Sequence, residues 1–527
     1  MLLNSFLIAT LFAAASIAAP TSACPPRATI DSGVVIGKKT SLPNSDKAVN
    51  QFLGIPFAAP PTRFTPPTKP EPWSRPFNAT EYGPSCIQQF NYPEESRNRS
   101  IAWYNDPPTP AGESEDCLNL NVYVPAEPAE NRTVMIWFYG GANNFGRNSD
   151  LLYDGTSFAA NQDVIIVVFN YRLNVFGFPG SPELDLGDRN LGFLDQRLAV
   201  DWVQRNIAAF GGDPEKVTLF GESAGADGID ALITSIPEDP PFRAAILQSA
   251  PIFIPSTVNT SVARPGWALL AEAFNCSETH PESNLTCLQS QPAELIKSTI
   301  ELYSLPFSPI SDGVTNVVSR TEARLNGSFA QVPVLAGSNA DEGTIFTLGL
   351  NNSKQLLSVI FPEAPELLEP FLDIYPEDPE NPNAQVDGFI RDLVYQCPML
   401  ILTNMTQAAG IPSYRFVFNA SFENTEFFPG AGAAHVSEIP IVWGTSPQEN
   451  ITDDQIALSQ AMQTAWADFA KDPTGGPGFD SVPNVAVYGS GVGLHGDGSG
   501  RLLDELPSSI VDARCTLLAQ IFELIEG

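Results

Sequence analysis

The feature that most constrains this 527-residue chain is a short apolar run ending in a turn too tight for ordinary residues. Val217-Thr218-Leu219-Phe220 reads as a buried strand, and Gly221-Glu222-Ser223-Ala224-Gly225 follows it directly. The next stretch, 224–233, suits a helix. A serine at so sharp a strand-to-helix bend is held in a strained backbone conformation, and glycines on either side let neighbouring chain approach with no side chain between. Its hydroxyl then stands exposed at the top of a sheet, the arrangement of a nucleophile elbow. G-x-S-x-G also recurs by chance in long sequences, so partners elsewhere must decide what the serine does.

Other apolar runs have the length and spacing of strands in such a sheet. Two short strands come first, at 34–37 and 51–57, before a proline-rich stretch. The segment 117–124 alternates, and Val134-Met135-Ile136-Trp137-Phe138-Tyr139 runs apolar into Gly140-Gly141, as a buried parallel strand would. Further strands are predicted at 164–169, 244–247, 332–336 and 414–418, and helices at 194–210, 456–469 and 510–525. Strand–helix alternation at this spacing predicts the α/β class, a mostly parallel sheet covered by helices on both faces. The 48 prolines are dispersed and no linker or repeat divides the chain, so residues 19–527 are read as one elaborated domain.

Residues 1–18 are apolar enough for a signal peptide, and Ser16-Ile17-Ala18 offers small residues for cleavage, although no positive segment precedes them. Sequons at Asn78, Asn98, Asn131, Asn259, Asn275, Asn284, Asn326, Asn351, Asn404, Asn419 and Asn450 agree with a secreted, N-glycosylated chain. So does cysteine usage. Cys86 with Cys117 and Cys276 with Cys287 would close loops of a size that disulfides stabilise well, Cys397 with Cys515 would form a long-range bridge, and Cys24 is left over. The net charge of −33 argues against nucleic-acid partners, which require the opposite sign. Its plain meaning is solubility, with attraction of cationic substrates as the functional alternative. No stable membrane insertion is expected, and the sequence does not reveal an oligomeric state.

A serine nucleophile needs a base, and only three histidines exist. His280 lies in a disulfide-flanked loop between sequons, and His495 in a glycine-rich stretch that gives it no support. His435, in Gly432-Ala433-Ala434-His435-Val436-Ser437-Glu438-Ile439-Pro440, is the preferred base. The orienting acid should lie between Ser223 and His435, after a strand. Asp341 and Glu342 both qualify, and spacing does not separate them; either would also serve as a helix-cap acid. Backbone N–H groups of Ala224 and of Gly140-Gly141-Ala142 are candidates to bind a developing oxyanion. No metal-ligand cluster or cofactor motif is evident.

These residues resemble the type-B carboxylesterase family, which includes cholinesterases, fungal lipases and bile-salt-activated lipases. The resemblance rests on Phe52-Leu53-Gly54-Ile55-Pro56-Phe57, on Ser114-Glu115-Asp116-Cys117-Leu118-Asn119-Leu120, and on the stretch from Phe210-Gly211-Gly212-Asp213 through Gly221-Glu222-Ser223-Ala224-Gly225. Weaker similarity extends across the mature chain. It implies an α/β-hydrolase fold and esterase activity, Glu342 rather than Asp341 as the acid, His435 as the base, and Gly141, Ala142 and Ala224 as oxyanion donors. Ala142 stands where the family more often has glycine, and the donor is expected to survive there at negative φ.

The resemblance further makes the Cys86–Cys117 loop a cover over the gorge mouth. Its residues do not compose an amphipathic helix, which argues against an apolar lid. Trp103 resembles the cation-binding tryptophan of cholinesterases, with a packed loop aromatic as the plainer reading. Leu305 and Phe307 resemble acyl-pocket positions, with core packing as the alternative. Glu222 either tunes the site electrostatically or serves the bend. The expected chemistry is ester hydrolysis through an acyl-enzyme on Ser223, rising with pH through roughly 6–7 as His435 deprotonates. An interfacial lipase or sterol esterase shares this chemistry, and a non-catalytic adhesion homologue would lack it.

Overall fold

The apolar runs assemble into one 11-stranded sheet beside a small three-stranded one. The computed structural model describes residues 24–43, 45–251, 265–350, 374–379 and 381–518. The expected leader, the sequons at Asn259 and Asn351 and the end of the C-terminal helix lie outside these residues. The strands are β1 (Arg27–Ile30), β2 (Gly33–Ile36), β3 (Lys38–Ser41), β4 (Ala48–Pro56), β5 (Phe77–Asn78), β6 (Asn119–Pro125) and β7 (Arg132–Phe138). They continue as β8 (Ile165–Phe169), β9 (Gly212–Glu222), β10 (Ala244–Gln248), β11 (Val334–Asn339), β12 (Ser413–Phe418), β13 (Asn484–Tyr488) and β14 (Leu503–Pro507). The large sheet has the order β14-β13-β12-β11-β10-β9-β7-β8-β6-β4-β3.

From β13 across to β8 every pairing is parallel; the remaining pairings toward both edges are antiparallel. Central strands β6, β7, β8, β10 and β11 are buried at every position, as continuous apolar runs require when both faces are covered. Two groups of helices supply the cover. Thr156–Gln162, Ile439–Trp443 and Asp453–Lys471 form one; Leu191–Asn206, Ala224–Ser235, Arg320–Leu325 and Cys397–Ala408 form the other. Because β7, β9, β10, β11 and β12 are neighbours and parallel, the loops leaving their C-terminal ends meet on one rim. In open α/β sheets that rim is where ligands bind.

The bridges form as read from spacing: Cys86–Cys117, Cys276–Cys287 and Cys397–Cys515, with Cys24 exposed and free. Four differences stand out. The N-terminal region has four strands rather than two. Strands β13 and β14 were not anticipated: the first is flanked by glycine-rich turns, and the second, Leu-Asp-Glu-Leu-Pro, is a charged edge with no apolar alternation. The predicted helix at 510–525 is interrupted by a turn at 512–514. The Cys86–Cys117 loop does contain a helix, Glu94–Tyr104, but no residue of it is buried. Its first turn carries Glu94 and Glu95, which favour the helix N-terminus, and its aromatic residues fall in the last turn. Among the described residues no helix is long and apolar enough to cross a membrane.

Candidate active site

Ser223 lies directly after β9 with φ 52° and ψ −125°, outside the regions ordinary residues adopt. Its N–H is tied to the Gln248 carbonyl at 2.9 Å, at the end of β10, and its own carbonyl accepts from the Asp227 N–H at 2.9 Å. The elbow therefore bridges the neighbouring strand and the first turn of helix Ala224–Ser235. Gly225 is required by close approach: a Cβ there would collide with the Phe138 carbonyl at the end of β7.

The two candidate acids follow β11. Glu342 is fully buried, and its Oε1 accepts from the Asn339 N–H at 2.7 Å and from the Ser249 hydroxyl at 2.5 Å. Its Oε2 lies 2.6 Å from His435 Nδ1. Asp341 is used differently. Its carboxylate accepts from the Ala433 N–H and its N–H donates to the Ala433 carbonyl, both at 2.9 Å, so it anchors the loop bearing His435. Asn339 Nδ2 adds a bond to the Ala434 carbonyl at 2.7 Å. The imidazole itself packs against Tyr395 and Phe346, with centroids 4.7 and 5.3 Å away. His495 is mostly exposed and 4.0 Å from Glu426, and His280 is half-buried beside Thr279; among the described residues neither makes a hydrogen bond or ion pair with Ser223 or Glu342.

His435 Nε2 faces Glu222, whose Oε1 is 3.1 Å away. Among the described residues no hydrogen bond joins it to the Ser223 hydroxyl, a bond that commonly tightens only when substrate is bound. Glu222 is 1 % exposed and neither of its oxygens receives a hydrogen bond of good geometry. Burial raises its pKa well above the usual carboxylate range; His435 opposes this, and Glu438 and Glu342 add to it. Burial acts to lower His435, yet the Glu222 and Glu342 carboxylates outweigh it and raise the imidazole to about 9. Both shifts favour a proton held in the Nε2–Oε1 contact, a direction the sequence reading of His435 did not anticipate.

Sequence reasoning missed the layer behind these groups. Glu438 is fully buried, accepting from Gln248 Nε2 at 2.8 Å and from Asn339 Nδ2 at 2.6 Å. Trp466 Nε1 in turn donates to Gln248 Oε1 at 2.9 Å. Burial raises the Glu438 carboxyl despite these donors. One signal was available: an acid three residues after His435, opening the apolar segment 439–443, has no surface role. Ser249, the first residue after β10, had none.

On the other side of the elbow, Gly141 has φ 98°, Ala142 φ 52° and Asn143 φ 58°. The negative φ expected for Ala142 is therefore not found. The chain leaves β7 through consecutive left-handed residues, a turn closed by the Asn144 and Phe145 N–H groups on the Gly141 carbonyl at 2.9 and 3.2 Å. Among the described residues the N–H groups of Gly141, Ala142 and Ala224 donate to no protein acceptor. For Ala224 that is the ordinary state of a first helical residue.

Of the pocket candidates, Trp103 is half-buried and packs on Phe427 and Phe428, at 5.3 and 6.2 Å between centroids. Leu305 and Phe307 are each 4 % exposed and sit in a satellite core cluster with Phe64, Phe176 and Trp267. Both pack there as core residues do.

Residues 25–483 match the sequence profile described as the Carboxylesterase family. The chain is 34 % identical over 474 residues to an acetylcholinesterase of Bungarus fasciatus, spanning 83 % of this chain and 77 % of that one. It is 32 % identical over 497 residues to liver carboxylesterase 1 of Mus musculus, spanning 86 % of each.

Proposed function

The chain belongs to the carboxylesterase family, carboxylic ester hydrolases of the α/β-hydrolase fold, and from that premise we propose that it is a secreted serine esterase acting through Ser223, His435 and Glu342. The observation carrying this reading is the 2.6 Å contact between His435 Nδ1 and a buried Glu342, which leaves the sheet two strands from the elbow serine. Glu342 holds the imidazole with Nε2 toward the elbow. His435 accepts the Ser223 proton as Oγ attacks the ester carbonyl, and the N–H groups of Gly141, Ala142 and Ala224 receive the oxyanion. The protonated imidazole passes its proton to the departing alcohol. Water, deprotonated by the same nitrogen, then releases the acid from the acyl-enzyme.

Glu222 tunes this relay. In the resting site it competes with Ser223 for Nε2, and a substrate that draws Nε2 to the serine leaves Glu222 as a buried group beside the imidazolium. Secretion is supported by three disulfides, which persist in oxidising compartments, and by the sequons.

Soluble esters are the favoured substrates, because helix Glu94–Tyr104 over the rim presents Glu, Ser, Arg and Asn along most of its length and has no continuous apolar face. The test is a series of p-nitrophenyl esters of increasing acyl length beside an emulsified triglyceride. Rates should saturate with dissolved ester at every length. A jump in rate only above the solubility limit would identify an interfacial lipase instead.

A further inference from the structure

Helix Ala224–Ser235 opens with the N–H that receives the oxyanion in the proposed relay, and it carries acids at Asp227, in its first turn, and Asp230. An acid in the first turn ordinarily stabilises a helix, because it lies against the positive end of the dipole. Here that end has a second use, meeting negative charge as the ester carbonyl is attacked. A bare carboxylate one turn away would repel that charge. Asp227 is tied closely to the elbow, its N–H donating to the Ser223 carbonyl at 2.9 Å. Its field also reaches the base of the oxyanion turn. Tyr171 donates to the Tyr139 carbonyl at 2.8 Å, and its phenol is raised by burial first, then by Tyr139, Asp227 and Glu222.

Arg320, the first residue of helix Arg320–Leu325, answers this carboxylate. Its Nη1 donates to Asp227 Oδ1 at 2.6 Å and to Asp230 Oδ2 at 3.1 Å. Its Nε and Nη2 donate to Asn316 Oδ1 at 3.1 and 2.9 Å, which fixes the guanidinium in place. Arg324 completes the group on Asp230 Oδ1. The side chains of Asp227, Asp230, Arg320 and Arg324 are 20 %, 0 %, 10 % and 2 % exposed, so little water screens them. Two carboxylates and two guanidiniums balance, and among the described residues no fifth charge pairs with them. Burial raises the Asp227 carboxyl, and Arg320 opposes that rise.

We propose that Arg320 is a positioning residue for ester hydrolysis that acts through Asp227: by neutralising this carboxylate it keeps the Ala224 end of the helix positive toward the oxyanion. Asp227 on its own would favour the helix and oppose the reaction. The guanidinium removes the conflict, and Asn316 holds it where it does so. The inference rests on the Ser223 reading and adds a residue outside the relay.

The test measures kcat and kcat/KM for dissolved p-nitrophenyl acetate, a neutral ester, at about pH 8.5 to keep Asp227 ionised. Rates are expressed per active site titrated with an organophosphate, so that unfolded chains do not count. In Arg320→Gln both constants should fall together about tenfold, the scale of one poorly screened charge a helical turn away. Asp227→Asn should keep at least the parent rate, and the double variant Asp227→Asn/Arg320→Gln should return to within about twofold of it. Arg320→Lys, which keeps the charge, should lose no more than about twofold. A packing role would instead make the losses add. Parent-like rates in Arg320→Gln, or a double variant as slow as Arg320→Gln, would overturn the proposal. Should Arg320→Gln fail to fold, the double variant and Arg320→Lys decide, and a loss of about tenfold in either overturns it. Full turnover by Ser223→Ala would overturn the Ser223 assignment beneath it instead.

Discussion

His435 holds two carboxylates at once, Glu342 on Nδ1 at 2.6 Å and Glu222 on Nε2 at 3.1 Å. In the proposed relay only the first is productive. A histidine raised to about 9 by these neighbours is a base only in the minority at neutral pH, because its neutral form is lost as pH falls through the raised value. Activity should therefore climb with pH on a limb lying above 7. Removing the Glu222 charge removes the largest contribution that raises the imidazole, so Glu222→Gln should move that limb of the kcat/KM profile to lower pH. An unmoved limb would show that the Glu222 contact is not part of the resting site. Little of this was legible in sequence. Ser223 and His435 announce themselves, one by its glycines and the other by scarcity of rivals. Asp341 and Glu342 are adjacent, however, and which one turns inward depends on the Ala433 backbone that captures Asp341.

The elements act as a frame that aims short loops. Strand β12 carries the chain toward His435, and it is pinned from beneath by a buried, two-pronged ion pair. Arg415 donates to Asp512 at 2.9 and 3.1 Å, with side chains 0 % and 2 % exposed. Gln396 and Ser508 complete the acceptor's bonds. Asp512→Ala would leave the guanidinium buried and uncompensated, a loss of about 3–5 kcal/mol. The urea midpoint should fall accordingly, and an unchanged midpoint would contradict this account of β12. The strands that hold the rim were readable because each is a continuous apolar run. Strand β14 and helix Glu94–Tyr104 were not, since a charged edge and a polar surface helix gain their order from neighbours instead of from apolar periodicity.

At the scale of the whole molecule, parallel pairing from β8 to β13 converts residues more than 200 positions apart into one cluster. The alternation of strands and helices conveys that architecture, and the cysteine spacing conveys its staples. The alanine at position 142 shows where such reading stops, because its left-handed backbone is set by the closed turn around it. With 60 acidic and 27 basic residues, the molecule carries a strongly negative overall charge.

The central claim is that Ser223 is the nucleophile of a relay it shares with His435. Incubation with an organophosphate, followed by intact-mass and peptide analysis, tests it most directly. One adduct per chain should form on the peptide containing Ser223, hydrolysis should stop in proportion, and His435→Ala should take up the label far more slowly. Stoichiometric loss of activity with the adduct on a different residue, or unimpaired labelling without His435, would contradict the account.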